Sequence, residues 1–496
     1  MSKFKEYISK TKEYGVSEKI EYPVVKISGL PSVKVEELLL FETGERAYVS
    51  TIDKSSVTAI LLSEKPVKVG VKVARTEQSL SFPVGDELLG KGVDPLGELI
   101  FEDKSYKKPK EQRYIDSKPK TIETRSKINK QLTTGLTLLD VLIPLGKGQR
   151  ELVLGDRRTG KTSALIPVIK SQSSEGSIVI YTAIGKRSVE IKRIKNQLDK
   201  MNKMKNTIIL ATKSSAPISL IDLTPYCAMT LAEYFNEKGK DVLVIFDDLT
   251  THAAMYREMA LMQKKFPGRE SYPGDVFYKH ARLLERAGNF KVGKNTNAIT
   301  CLSVAETVDS DLSAYIISNL IGITDGHILF DKSLFNKGLK PPVDVFLSVT
   351  RVGKQTQTPL LRDLNRVLTR FLSEYNNAKD VSHFGAEISS ESQTLLDSGN
   401  KIYNFISYDK KTVLPLQVEV SYLLMFIYGY LRNYKIKDTS KFKSLIGEYI
   451  KKNERAKNLI NKIFESKSIK EAEQILKNKN QILLEPCNSL KMLQKK

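Results

Sequence analysis

The stretch ELVLGDRRTGKTS, residues 151–163, decides the fold. An apolar run leads into Gly155-Asp156-Arg157-Arg158-Thr159-Gly160-Lys161-Thr162, which has the spacing G-x-x-x-x-G-K-[ST], and a helix is expected to start near Lys161. Each residue type has a physical task in that spacing. Gly155 and Gly160 let the backbone turn so that its N–H groups face an anion. Lys161 reaches the outer phosphates, and the Thr162 hydroxyl can ligate Mg2+. The helix points the positive end of its dipole at the same anion. Arg157, Arg158, Thr159 and Ser163 complete the expected lining, and the expected ligand is the phosphate chain of a nucleotide with Mg2+.

The surroundings agree with that reading. SIVIYTAI (177–184), NTIILAT (206–212) and DVLVIFDD (241–248) are apolar runs followed by helix-like segments at 188–201, 223–238 and 252–265; TNAITCLSV (296–304) is a further run. Strands that are apolar throughout, alternating with helices, indicate a parallel α/β sheet covered on both faces. DVLVIFDD ends in Asp247-Asp248, 86 residues after Lys161. A strand that delivers a carboxylate to the sheet edge is a means of holding hydrated Mg2+, and Asp247 is preferred because it directly follows the strand.

Before the sheet, YPVVKI (22–27), VKVEELLLF (33–41), RAYVS (46–50), SVTAILL (56–62) and VKVGVKVA (67–74) are short β-branched runs separated by turn residues, the rhythm of a small barrel. PVGDELLGKGVDPLG (83–97) reads as a junction, and the Lys-rich 104–130 as a surface connection. After about 358 the pattern turns helical, as in LLRDLNRVLTRFLSEY (360–375). The expected architecture is an N-terminal β-barrel (1–82), an α/β phosphate-loop domain (83–357) and a C-terminal helical domain (358–496). A chain of 496 residues has room for three domains at ~150 residues each.

Composition narrows the class. Cys227, Cys301 and Cys487 share no close spacing, and four scattered histidines make no metal site. The N-terminal MSKFKEYISKTKEYG has no apolar core of a secretory leader, and YLLMFIYGYL (422–431) is too short to span a bilayer, so a buried helix is expected there. The expectation is a soluble cytoplasmic protein. The net charge is +22, with 17 basic against 7 acidic residues in 431–496. Only 19 of the 79 basic residues are Arg, the residue preferred for bidentate phosphate contacts, so a lysine surface set by an AT-rich genome is favoured over a nucleic-acid partner.

With these runs in place, the chain resembles the alpha subunit of F-type rotary ATPases. The resemblance extends from about Pro23 to about Leu431. It rests on 83–97, GKGQRELVLGDRRTGKTS (146–163), YREMALMQKKFPGRESYPGDVFYKHARLLERA (256–287), ITDGHILFDKSLFNKGLKPP (323–342) and SVTRVG (348–353). GRESYPGDVFY (268–278) is specific to alpha-type chains. The resemblance implies a ring of three alpha and three beta subunits around a gamma-type shaft, stalk or adaptor proteins at the N-terminal end, and a place at the inner face of the cell membrane. It implies a RecA-like fold for the α/β domain, ATP or ADP as its nucleotide, an arginine finger at Arg351, contributed in trans to a catalytic beta-type partner, and adenine contacts at Phe335, Lys340 and Pro341.

The same resemblance implies that the chain itself is not catalytic. Beta subunits carry a water-orienting Glu in a Gly-Glu-Arg loop, whereas AIGKRS (183–188) has Lys186 near that position, and an ammonium cannot act as a carboxylate base. Glu190 reads as a surface ion-pair residue. Alpha chains have Gly-Gln-Lys-Arg-Ser there and Gln-Gly-Gln at the adenine. Here the former is one residue shorter and the latter is Tyr408-Asp409-Lys410. These losses point to a paralogous head not coupled to proton flow, of the F-type-like kind that mycoplasmas carry, some linked to motility; the alternative is the ordinary proton-translocating synthase. A Rho-type RNA translocase shares the core, but the barrel's few aromatics (Tyr22, Phe41, Tyr48) and the 268–278 run oppose it.

Overall fold

The computed structural model describes residues 3–383, 389–408, 414–432, 434 and 439–493, with side chains described up to 379 in the helix Pro359–His383 and up to 487 in Ile469–Leu493. Two compact units emerge, one of residues 1–127, 148–157 and 172–325, the other of 128–147, 158–171 and 326–496.

The first unit begins with a six-stranded closed barrel: β1 Tyr14–Glu21, β2 Val24–Ser28, β3 Glu37–Phe41, β4 Arg46–Ile52, β5 Val57–Leu61 and β6 Lys72–Ser79, in the order β1-β2-β5-β4-β3-β6. Val25, Ile27, Leu39, Phe41, Ala47, Val49, Ala59, Leu61 and Val73 form its core, and each is fully buried. Removing a large apolar side chain from water contributes roughly 1.5–3 kcal/mol. Two carboxylate oxygens of Glu37 accept from Arg75 at 3.1 and 3.2 Å, which pairs the buried charges of β3 and β6.

The same unit holds the parallel sheet. Its strands run Arg150–Asp156, Asn295–Thr307, Val242–Asp247, Ile178–Lys186, Thr207–Lys213, and finally the short Gly92–Val93. Val242 to Phe246 are all buried, as an apolar run within a covered parallel sheet requires. The helix Ile218–Glu237 packs on this sheet and buries nearly all its side chains. Behind it, His252 Nδ1 lies 3.0 Å from His280 Nε2, and His252 Nε2 lies 3.2 Å from Asp222. Burial pushes His280 down to about 3, with the His252 charge adding to it, so this ring stays neutral and serves packing.

The second unit contains the strand pair Gly326–Phe330 and Val343–Thr350 and six C-terminal helices: Pro359–His383, Ser390–Ile406, Leu416–Ile427, Thr439–Lys452, Glu454–Phe464 and Ile469–Leu493. Phe405, Tyr422, Phe426 and Phe442 stack at its centre, with centroids 5.2 to 6.5 Å apart. Of the apolar run at 422–431, expected as buried helix, 422–427 end the helix Leu416–Ile427 with 422–426 buried, whereas 428–431 form a turn. Asn365 donates to the carbonyls of Val141 (2.7 Å) and Leu142 (3.0 Å), satisfying the end of the short helix Thr137–Leu142. Among the described residues no helix is long and apolar enough to cross a membrane.

Candidate nucleotide site

The strand Arg150–Asp156 ends and the helix Lys161–Ser174 begins with four residues between them. Gly155 (φ +146°), Arg158 (φ +64°) and Gly160 (φ +91°) all take positive φ, which turns the backbone sharply; glycine adopts such angles freely, whereas Arg158 does so at a cost. Thr159 and Lys161 are buried, Thr162 is partly covered, and Arg157, Arg158 and Ser163 are exposed. In the first unit Asp156 Oδ1 accepts from Thr307 Oγ1 (2.6 Å) and from the Ser310 amide (2.9 Å), anchoring the strand's end. Arg157 pairs with Glu306 at 2.7 Å, so its charge is directed to a carboxylate.

In the second unit the other half of the loop lies beside Phe335, one of the expected base-contacting residues. A Cβ built on Gly160 would meet the Phe335 ring edge at 3.8 Å. Phe335 lies on the five-residue helix Lys332–Asn336, whose start is capped by Asp331 accepting from the Leu334 amide, and its ring is 42% exposed. An apolar ring left open beside a phosphate loop is a platform on which a base can stack. The Lys340 carbonyl accepts from the Tyr408 amide (2.5 Å) and the Ser407 hydroxyl (3.1 Å), and Pro341 is buried next to it. Of the Tyr408-Asp409-Lys410 reading, Asp409 and Lys410 lie outside the described residues, as do Phe384 and Gly385.

Arg351 follows the strand Val343–Thr350 and is exposed. Its neighbours along that strand, Phe346 (45%), Leu347 (56%) and Val349 (39%), are exposed as well, an apolar patch of the kind that marks a protein interface. The loop after Arg351 is fixed from below. Thr350 Oγ1 donates to the Pro144 carbonyl at 2.8 Å, and a Cβ on Gly353 would lie 1.6 Å from that oxygen. Gly353→Ala is therefore expected to cost roughly 1–3 kcal/mol, read as a lower unfolding midpoint; an unchanged midpoint would show that the contact is soft.

Asp247 and Asp248 end the central strand and are both buried. Asp247 Oδ2 accepts from the Tyr181 hydroxyl at 2.6 Å, and Asp247 Oδ1 lies 2.8 Å from Lys186 Nζ. Asp248 Oδ2 lies 2.7 Å from the same ammonium, while Asp248 Oδ1 accepts from the Thr251 amide at 2.6 Å, capping the helix Leu249–Met262. Burial alone would lower Lys186 and raise Asp248. The ion pairs outweigh it, so Lys186 is raised and Asp248 is held below the usual carboxylate range. Asp247 thus stands where a cation-holding carboxylate was expected, but its oxygens are engaged by an ammonium and a phenol. The sequence reading placed Lys186 but not its partners, and it missed Tyr181 entirely. The one signal for Tyr181 was a hydroxyl-bearing ring inside an otherwise aliphatic strand. Glu190 pairs with Arg187 at 2.7 Å at the start of the helix Ser188–Lys200.

Comparison with known proteins agrees with this geometry. Residues 135–350 match the nucleotide-binding domain of the ATP synthase alpha/beta family, and residues 357–481 match the C-terminal domain of the same family's alpha and beta subunits. The chain is 37% identical over 477 residues to the ATP synthase subunit alpha of Petrotoga mobilis, covering 95% of this sequence and 94% of that one. It is 34% identical over 428 residues to the ATP synthase subunit alpha of Wolinella succinogenes, covering 86% and 85%. With barrel, nucleotide-binding sheet and helical region in the family's order, the chain belongs to the ATP synthase alpha/beta family and falls with its alpha subunits.

Proposed function

We propose that this chain is a nucleotide-binding, non-catalytic alpha-type subunit of a rotary ATPase head, and that it completes the active site of a beta-type partner. The observation that carries this is Lys186. Where hydrolysis needs a carboxylate to orient water, the protein places an ammonium already paired with Asp247 and Asp248. ATP or ADP is the ligand, with its phosphates on the loop from Gly155 to Ser163 and its base beside Phe335, Lys340 and Pro341. A Mg2+ ion arriving with the nucleotide would be held by the phosphates and the Thr162 hydroxyl. The engaged Asp247 carboxylate does not fit a hydrated cation as it stands.

Arg351 is the arginine finger. An exposed guanidinium rimmed by exposed apolar residues suits a partner's surface that covers it and brings a phosphoryl group within reach. The assembly is then three alpha-type and three beta-type subunits around a gamma-type shaft, with stalk or adaptor proteins at the barrel end and the whole head at the inner face of the cell membrane. No nucleic acid takes part.

Two readings of what the head drives have separate support. The relatives matched along nearly the whole sequence are named as ATP synthase subunits, which favours proton coupling. Lys186 and Tyr408, standing near positions where alpha subunits carry glutamine, favour a paralogous motor uncoupled from proton flow. A mild-detergent pull-down of the tagged protein with mass spectrometry separates them. Proton-channel subunits in stoichiometric amount mean a synthase. A beta-type subunit with other membrane or filament proteins, and no proton-channel subunits, means the diverted motor. Recovery without any beta-type subunit would sink the proposal itself.

Lys161→Ala is expected to remove this subunit's own nucleotide and to lower turnover of the assembled complex by less than ~10-fold. Equilibrium dialysis with ATP and steady-state hydrolysis assays check the two halves. Complete loss of turnover would contradict a non-catalytic site.

A further inference from the structure

The carboxylates that end the central strand are engaged by the protein's own groups. All four oxygens of Asp247 and Asp248 have a donor or cation: Lys186 Nζ at 2.8 and 2.7 Å, the Tyr181 hydroxyl at 2.6 Å and the Thr251 amide at 2.6 Å. The backbone holds Lys186 in that position. Ala183 pairs with Ala211 in regular register, the pairing then shifts, and it resumes only at Lys186 with Lys213. Such an irregularity re-aims the side chain that follows it. Gly185, at φ +60°, makes the turn possible, and its amide donates to Thr212 Oγ1 at 3.2 Å. The ammonium is mostly covered, with a side chain 20% exposed against carboxylates that are 2% exposed.

We propose that the Lys186 ammonium is a built-in replacement for the divalent cation at Asp247–Asp248, so that this subunit holds its nucleotide with little dependence on Mg2+. The proposal rests on the reading of the phosphate loop as a nucleotide site and adds how the carboxylates at the end of the central strand are charge-balanced. A hydrated Mg2+ reaches such a carboxylate through waters that donate to its oxygens. Here each of the four oxygens already has a donor or the ammonium beside it, and a dication would stand against a monocation in a region largely withdrawn from water, where repulsion is poorly screened. An ammonium on the protein offsets one of the two carboxylate charges in every state of the site, whether or not metal is present.

The test is calorimetric titration of the full-length protein with ADP and with ATP, once in millimolar Mg2+ and once in EDTA. The expected result is a Kd that changes by less than ~3-fold on chelation in the unaltered protein, while Lys186→Gln gains a dependence of ~10-fold or more. Lys186→Arg retains the charge and is expected to stay insensitive, which covers the case in which the glutamine variant folds poorly. A loss of ~10-fold or more on chelation in the unaltered protein would overturn the proposal, as would a glutamine variant no more sensitive than the parent. Absence of nucleotide binding in both buffers is a different failure. It would overturn the nucleotide-site reading and this proposal with it.

Discussion

Arg351→Ala is expected to lower ATP turnover of the assembled head by ~10³-fold, about 4 kcal/mol of transition-state stabilisation. The magnitude follows from the role. A guanidinium placed across an interface meets charge that develops on the transferred phosphoryl group, and that charge is absent when the nucleotide is merely bound. The loss should therefore appear in kcat, with assembly of the ring and nucleotide binding by this subunit unchanged. Arg351→Lys is expected to recover little, because an ammonium lacks the planar fork. Steady-state hydrolysis by complexes rebuilt from the variant subunit and an unaltered partner gives the answer. Turnover within a few-fold of the parent would remove Arg351 from the active site and leave its exposed apolar neighbours as an interface alone.

The second large effect concerns stability. Arg286 is 1% exposed, and each of its three nitrogens donates a hydrogen bond. Its Nε and Nη2 donate to the two Glu233 oxygens at 2.8 Å each, its Nη2 also to Thr230 Oγ1 at 2.9 Å, and its Nη1 to the Ile115 carbonyl at 2.7 Å. One side chain thus ties the helix Ile218–Glu237 to the segment that leaves the barrel. Arg286→Met leaves Glu233 buried and unpaired, with the Ile115 carbonyl keeping only the Thr230 hydroxyl at 3.3 Å, and removing one partner of a buried pair costs about 3–5 kcal/mol. The expected result is a large fall in the first unfolding transition. Adding Glu233→Leu should restore part of the loss, since the stranded charge is gone; the pair's coupling is read from that double-mutant cycle. A single variant within about 1 kcal/mol of the parent would mean that water reaches Glu233 once the arginine is removed.

The parts of this fold legible in sequence are those where residue type alone determines placement. Val242 to Phe246 had to be a covered strand because nothing in the run can face water, and the strand is buried throughout. The phosphate loop was legible because its glycines, lysine and threonine each have a task at a fixed spacing. β1 was not legible, because its buried residues are Gly15 and Ser17, which give no apolar alternation. Gly15 is there because a Cβ would lie 2.5 Å from the Ser28 carbonyl oxygen. The stretch KVGKNTN (291–297) has no apolar alternation, and it is the tip of a hairpin between Gly288–Val292 and Asn295–Thr307 that turns at Gly293, φ +60°. Lys186 was legible as a missing base but not as a partner of Asp247. That pairing depends on a register shift between strands, and register is a property of the sheet that no single strand's sequence carries.

The central claim is that this subunit binds nucleotide and leaves the chemistry to a partner. Its most direct test is phosphate release from ATP by the purified full-length protein on its own, set beside release by the same protein reassembled with its beta-type partner and shaft. The account predicts bound, uncleaved ATP on the isolated subunit and sustained turnover only in the assembly, lost when Arg351 is replaced. Multiple turnovers by the isolated subunit, at a rate comparable to the assembly's, would contradict it.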